Sequence, residues 1–266
     1  MNQAVSNIYP SKRQISRTFG LKAKKYEQNA LVQKELIELI IKRMDAQSGN
    51  LWADLGCGTG LLETNLKNLS DRKITTIDIS QKSLEVVRSK NLTGVAPVCS
   101  DIEKLPLKNN SLNGIVVSSV LQWFPQNLDT VIKSISGLLK NKGTLLFSIF
   151  SSECFCELVQ IQKMFEIEPP IILPNIKTFS AFLEKSSLTT IEFEEYKKTL
   201  YFSSAFELLE SLSAIGSTAA KGKRLTRKSL KEFCKKYEEI YGSPKGIPIT
   251  YHAVTGTAIK EGKNVK

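Results

Sequence analysis

The chain has 266 residues, 41% of them hydrophobic, and a formal net charge of +11 with a pI of about 9.3. That length suffices for a full core, as one large α/β domain or one domain with an insertion. No long apolar run exists, Met1 to Phe19 lacks the apolar segment of a secretory signal, and the five cysteines and single histidine show no zinc spacing. The expectation is a cytoplasmic protein with reduced thiols, no membrane span and no metal. Residues 31–44 place Leu31, Val32, Leu36, Leu39, Ile40 and Met44 on one helical face, and Gly49-Asn50 stops that helix. Strands are expected near 50–55, 73–78, 95–99, 114–119 and 144–150, with helices near 60–69, 81–90 and 127–140 between them. Ser80 reads as an N-cap, and Asn141-Lys142-Gly143 reads as the stop of the helix at 127–140. After Phe150 the alternation breaks. A helix, a link containing Pro169, Pro170 and Pro174, a helix near 178–187 and a strand near 190–202 follow. A helical insertion over about 203–249 then separates that strand from a last one at 252–259. Strands alternating with helices predict a mostly parallel seven-stranded sheet covered on both faces. Right-handed crossovers bring the carboxyl ends of the strands, and so the ligand, to one edge.

The motif of greatest weight is Ala53-Asp-Leu-Gly-Cys-Gly-Thr-Gly60, followed 18 positions later by Asp78 at the end of a second apolar run. A strand, a glycine turn, a helix and a strand ending in a carboxylate make a nucleoside-binding device. Glycine lets backbone N–H groups approach a ligand, and a carboxylate accepts from both ribose hydroxyls. A dinucleotide fingerprint, G-x-G-x-x-G, would need its third glycine at position 61, which is Leu61. The spacing G-x-G-x-G at Gly56, Gly58 and Gly60, with Asp54 placed to attract a cation, instead resembles motif I of class I methyltransferases that use S-adenosylmethionine. That resemblance implies their Rossmann-like fold. It gives Asp101 as acceptor from the adenine amino group, Ile102 against the ring, and Ile79 and Ser118 as further cofactor contacts. The Asn-Pro-Pro-Tyr-like tetrapeptide of enzymes that methylate amino nitrogens is missing after Ser118.

Further segments resemble one family nearly end to end, the malonyl-[acyl-carrier protein] O-methyltransferases of biotin synthesis. They are Phe19-Gly20 with Tyr26-Glu27-Gln28 and Ala30, Asp101 to Pro106, Leu121-Gln122-Trp123, Glu157-Leu158, Ile215-Gly216, Leu225-Thr226-Arg227 and Pro248 to His252. The chain departs from the pattern around 172–177, where no arginine stands. The resemblance implies a single domain over 1–266, with lid helices at about 10–45 and the insertion at about 203–249 completing the lid. It also implies methyl transfer to the free carboxylate of malonyl on its carrier protein. Such an acceptor is ionised at neutral pH, with a pKa near ~4, so no general base is expected. Tyr26, Gln122 and Trp123 are then candidates for positioning the substrate.

The positive charge clusters at Lys12, Arg13, Arg17, Lys22, Lys24 and Lys25, and again at Lys221, Lys223, Arg224, Arg227, Lys228, Lys231, Lys235 and Lys236. Read alone, each cluster is a solvated face or a surface for an acidic partner. Under the resemblance, Lys221, Lys223, Arg224, Arg227 and Lys228 meet the acidic carrier protein. Without aromatic interleaving or a nucleic-acid module, no nucleic acid is expected. The other readings are a methyltransferase for another small carboxylic acid or a quinone precursor, an RNA methyltransferase, and a silent interaction protein on the same fold.

Overall fold

The protein is described from a computed structural model covering residues 10–66, 71–168, 173–216 and 225–262, the side chains of Lys24 and Lys25 excepted. Lys221, Lys223 and Arg224 lie outside the described residues. Two helices precede the first strand, α1 (Lys12–Asn29) and α2 (Leu31–Asp45). Ser11 starts α1 through a capping box with Gln14, whose side chain and backbone N–H exchange bonds with it.

Strands β1 (Leu51–Leu55), β2 (Lys73–Asp78), β3 (Val95–Cys99), β4 (Leu112–Ser118) and β5 (Leu139–Phe150) pair in parallel. Helices α3 (Leu61–Asn65), α4 (Gln81–Ser89) and α5 (Leu128–Leu138) lie between them in the chain. Then come α6 (Cys156–Met164), α7 (Ile176–Lys185), β6 (Leu188–Phe202), α8 (Ala205–Ala214), α9 (Arg227–Tyr241) and β7 (Ile247–Lys260). The sheet order is β3-β2-β1-β4-β5-β7-β6, and β7 runs antiparallel between its two neighbours.

The strands are apolar at consecutive positions because both faces are covered. Along β5, Leu145 and Phe147 pack with Ile132, Phe179 and Leu183 under α5 and α7, while Leu146 and Phe150 pack with Leu36 and Ile40 of α2, Leu158 of α6, Leu208 of α8 and Tyr237 of α9. The order reverses at β1 and β4, whose carboxyl ends point to the same edge. That is the crevice where an open α/β sheet receives its ligand.

The expected strands at 73–78 and 95–99 keep their limits, and the last strand begins earlier than expected, at Ile247. One expectation needs correction. Asn141-Lys142-Gly143 is not a helix stop: α5 ends at Leu138, and Leu139 already pairs with Leu112 of β4. The chain then loops out, with Lys142 at φ 63°, before pairing resumes at Thr144 with Gly114. The turn residues therefore mark an irregularity inside a strand. No helix among the described residues is long and apolar enough to cross a membrane.

Candidate cofactor and acceptor site

The glycine turn is built by β1 and β2 together. Gly56, Gly58 and Gly60 all have positive φ, at 78°, 54° and 79°. The Gly56 and Cys57 N–H groups both donate to the carbonyl of Ile77, at 2.6 and 3.0 Å. Asp78 then orders the turn with its side chain, accepting from Gly58 N at 3.0 Å and from Ser80 N at 2.7 Å. Burial pushes the Asp78 carboxyl up, and those two N–H groups pull it back. A Cβ on Gly56 would stand 2.3 Å from a methyl of Val120, whereas one on Gly58 would meet nothing within 4 Å. Gly58 thus offers bare backbone to open space.

That space is a cavity of about 700 Å³, and Gly56, Gly58, Asp78, Ile79, Asp101, Ile102 and Ser118 all line it. Seven of the nine expected cofactor residues therefore share one wall. Asp54 and Gly60 do not. Asp54 is buried in β1, where burial and the adjacent carboxyl of Glu63 push its own carboxyl well up. It sits beside a second buried acid, Glu63, and off the cavity wall. Gly60 instead starts α3, and a Cβ there would crowd Val87 at 3.2 Å. Asp101 has two partners already: it accepts from Glu103 N at 3.0 Å, capping the short 3-10 turn Ile102–Lys104, and it pairs with Lys12 at 2.5 Å.

Helix α1 roofs this cavity. Glu27 accepts from the Thr59 hydroxyl at 2.8 Å and from Lys90 at 2.7 Å, and Ser16 donates to the Ile79 carbonyl at 3.1 Å. Lys12 also pairs with Glu103, and Lys22 donates to the Ser213 carbonyl on α8. These ties hold Tyr26 on the cavity wall, where burial and then the Asp78 charge push its phenol up. Glu27, Ser16 and Lys12 were not among the expected site residues. Glu27 carried a signal, standing beside Tyr26 in a family-like pair, whereas Lys12 and Ser16 carried none.

A second cavity, of about 170 Å³, shares Phe19, Tyr26, Ser119 and Trp123 with the first. Trp123 lines both, with Phe19 edge-on to it at 5.5 Å. Phe150, Phe155, Leu158, Leu212 and Ile215 give this chamber an apolar wall. Its polar lining is Gln33, Gln122, Gln162 and groups around the shared mouth, and no charged side chain among the described residues lines it. Gln122 Nε2 donates to the Ser119 carbonyl at 2.8 Å, while its Oε1 is buried without a partner.

The Thr250-Tyr251-His252 segment supports that wall from behind. Glu157 accepts from Thr250 N at 3.0 Å and from the Thr250 hydroxyl, fixing α6 to β7. Tyr251 packs edge-on to Phe155 at 4.8 Å. His252 bonds Ser151 through Nδ1 at 2.6 Å and lines neither of these cavities. Among the described residues no group of three or more His, Cys, Asp or Glu side chains is placed to hold a metal.

Residues 53–147 match the methyltransferase domain family. The chain is 30% identical to the malonyl-[acyl-carrier protein] O-methyltransferase of Bacillus anthracis, over 94% of this chain and 97% of that one. It is also 30% identical to the enzyme of the same name from Acetivibrio thermocellus, over 94% of each. Among solved structures it resembles a putative methyltransferase from Bacillus halodurans, with a TM-score of 0.60 at 16% identity over 84% of this chain and 97% of that one. A chain of the Haloferax volcanii complex between the Trm112 methyltransferase activator and a putative methyltransferase gives a TM-score of 0.63 at 14% identity, over 96% of this chain and 100% of that one. These two structures speak to the fold alone. The curated relatives, matched along nearly their whole length, speak to more: the chain belongs to the malonyl-[acyl-carrier protein] O-methyltransferase family of S-adenosylmethionine-dependent methyltransferases.

Proposed function

We propose that the chain methylates the free carboxylate of a malonyl group carried on an acyl-carrier protein, the ester that starts pimeloyl synthesis for biotin. The observation that carries this reading is the small and largely apolar chamber, with no charged side chain among the described residues lining it, that meets the cofactor cavity at Phe19, Tyr26, Ser119 and Trp123. The cavity fits S-adenosylmethionine: Gly58 leaves its backbone open and Asp78 lines the wall with a carboxylate. When bound, that cofactor supplies an electrophilic methyl group on a cationic sulfur. Asp78 serves the ribose, and Asp101 and Ile102 serve the adenine once Lys12 yields Asp101.

The chamber residues have two tasks. They aim one carboxylate oxygen at the methyl group, and they keep water away. A carboxylate approaching a cationic donor loses charge in the transition state, so surroundings without strong polarity favour the step more than water does. Tyr26, kept protonated, donates to an acceptor oxygen or the cofactor, and Trp123 orients the acyl group. No residue has to remove a proton, and the one histidine, His252, lines neither cavity. The lid comprises α1 with α8, and the single domain closes around both ligands.

Arg227 and Lys228 stand exposed at the start of α9, with Lys231, Lys235 and Lys236 along the same helix. Lys235 and Lys236 share Glu239 at 3.7 and 3.6 Å, which leaves the first turn as the more basic end. That end suits an acidic carrier protein and would steer its approach. The test is intact-protein mass spectrometry of malonyl-carrier protein incubated with the chain and S-adenosylmethionine. A methyl-sized mass gain on the carrier is expected. No gain, with cofactor binding shown by calorimetry, would reject the acceptor.

A further inference from the structure

We infer that the side-chain amide of Gln33 donates an N–H to the thioester carbonyl of the acceptor, and so holds the acyl group with its free carboxylate at the mouth of the chamber. The inference rests on the proposed reaction and adds a substrate-binding residue to it. Gln33 stands on the buried face of α2, in helical register with Leu36, Ile37 and Ile40. It is 8% exposed, and it lines the small chamber but not the cofactor cavity. The other buried polar side chain of α2, Arg43, is paired with Glu192 and Glu194 and bonded to Thr255. The Gln33 amide has no hydrogen-bond partner among the described residues, and neither of its polar atoms is sealed as Gln122 Oε1 is. The little surface that Gln33 keeps therefore includes its amide and faces the chamber that it lines. An apolar residue would suit this helix face better, so the amide is accounted for by what enters the chamber.

The chemistry of the occupant assigns the bond. Methyl transfer puts the reacting carboxylate at the shared mouth, beside Tyr26, Ser119 and Trp123. The other polar group of a malonyl unit is its thioester carbonyl, which then lies inside the chamber. That oxygen accepts and cannot donate, so it selects the NH2 end of the amide. A cavity of ~150 Å³ takes benzene, which is close in bulk to a malonyl group. This chamber has about 170 Å³. Of the other glutamines that line it, Gln122 already has its NH2 on the Ser119 carbonyl, and Gln162 is not buried. A free dicarboxylate would bring a second charge against Gln33, where no cationic side chain among the described residues lines the chamber. A neutral amide in these surroundings favours the thioester over the free acid.

The experiment changes the residue and the oxygen together. Carrier protein bearing malonyl on its thiol is compared with carrier bearing a carboxyethyl thioether, which has a methylene in place of the thioester carbonyl. Intact-protein mass spectrometry gives kcat/KM for methylation of each carrier by the wild-type chain and by Gln33→Met. Calorimetry gives the affinity of each protein for S-adenosylmethionine. The preference for the carbonyl should be about tenfold greater in the wild type than in Gln33→Met, as for a buried acceptor that gains or lacks its donor. Cofactor affinity should stay the same. A preference that the substitution leaves unchanged overturns the inference whether or not the rates fall, because a side chain that only supports the helix slows both carriers alike. If Gln33→Met fails to fold, Gln33→Leu takes its place under the same criterion. Methylation of malonyl-carrier protein with an unchanged preference rejects the Gln33 contact alone. Methylation of neither carrier, with the cofactor bound, rejects the reaction and the contact with it.

Discussion

The floor of the site and its roof are built in different ways. The floor is backbone: two N–H groups on the Ile77 carbonyl, two on the Asp78 carboxylate, and three glycines at positive φ set into the edge of a parallel sheet. The roof is side chains reaching across long sequence separations, Glu27 to Lys90, Lys12 to Asp101, Lys22 to Ser213. Its ion pairs are partly exposed and individually weak. A floor of this kind is braced by the sheet itself, whereas the roof is tied to it by side chains alone.

The largest expected effect attacks the floor. Gly56→Val would force a side chain within 2.3 Å of Val120 at a φ of 78°. Left-handed backbone costs about 1–2 kcal/mol for a residue with a side chain, and overpacking adds about 1–3 kcal/mol. Thermal melts should show marked destabilisation, and calorimetry should show cofactor binding lost. Retained affinity would mean the floor is as pliable as the roof.

A smaller effect is expected from the roof. Glu27→Gln removes the charge that faces Lys90 but keeps an acceptor for Thr59. A partly exposed pair contributes about 1 kcal/mol or less. The melting temperature should barely move, amide exchange in α1 should quicken, and KM for the acceptor should rise severalfold with cofactor affinity nearly kept. Unchanged exchange in α1 would break the distinction.

The smallest effect concerns pH. Burial raises the Asp54 and Glu63 carboxyls above their ordinary range. The folded state then binds protons more tightly than the unfolded one. The contribution to stability is complete below the ordinary carboxylate range, near ~4, and is lost as pH rises through the raised values. Melting temperatures of the wild type should fall from mildly acidic toward neutral pH, by about 2–4 °C per kcal/mol lost. Glu63→Gln should flatten that fall. An equal slope in both proteins would show that the two acids do not titrate as a buried pair.

The floor is also the legible part of the sequence. A strand, a glycine turn and an acid at the next strand end are local patterns, so the G-x-G-x-G run and Asp78 are enough to locate the cavity wall. Asp54 and Gly60 stand off the cavity although the motif sets them beside Gly56 and Gly58: the Asp54 carboxyl lies beside that of Glu63, and Gly60 opens α3 close to Val87. Asn141 to Gly143 misled for a related reason, since the same turn chemistry ends a helix or breaks a strand. The roof was legible only as matched words, Tyr26-Glu27 and Gln122-Trp123. Nothing near Lys12 in the chain announces Asp101, and nothing near Gln122 announces that its Oε1 lacks a partner. Such facts arise only when distant segments meet.

Val120 bears on Gly56 with no side chain between them, and the turn that follows it carries Gln122 and Trp123. The contact acts as a stop in a machinist's gauge. It sets the height of that turn above the glycine floor from the sheet side of the site, so where Trp123 stands on the cavity wall is fixed by β1 and not by the helix above it.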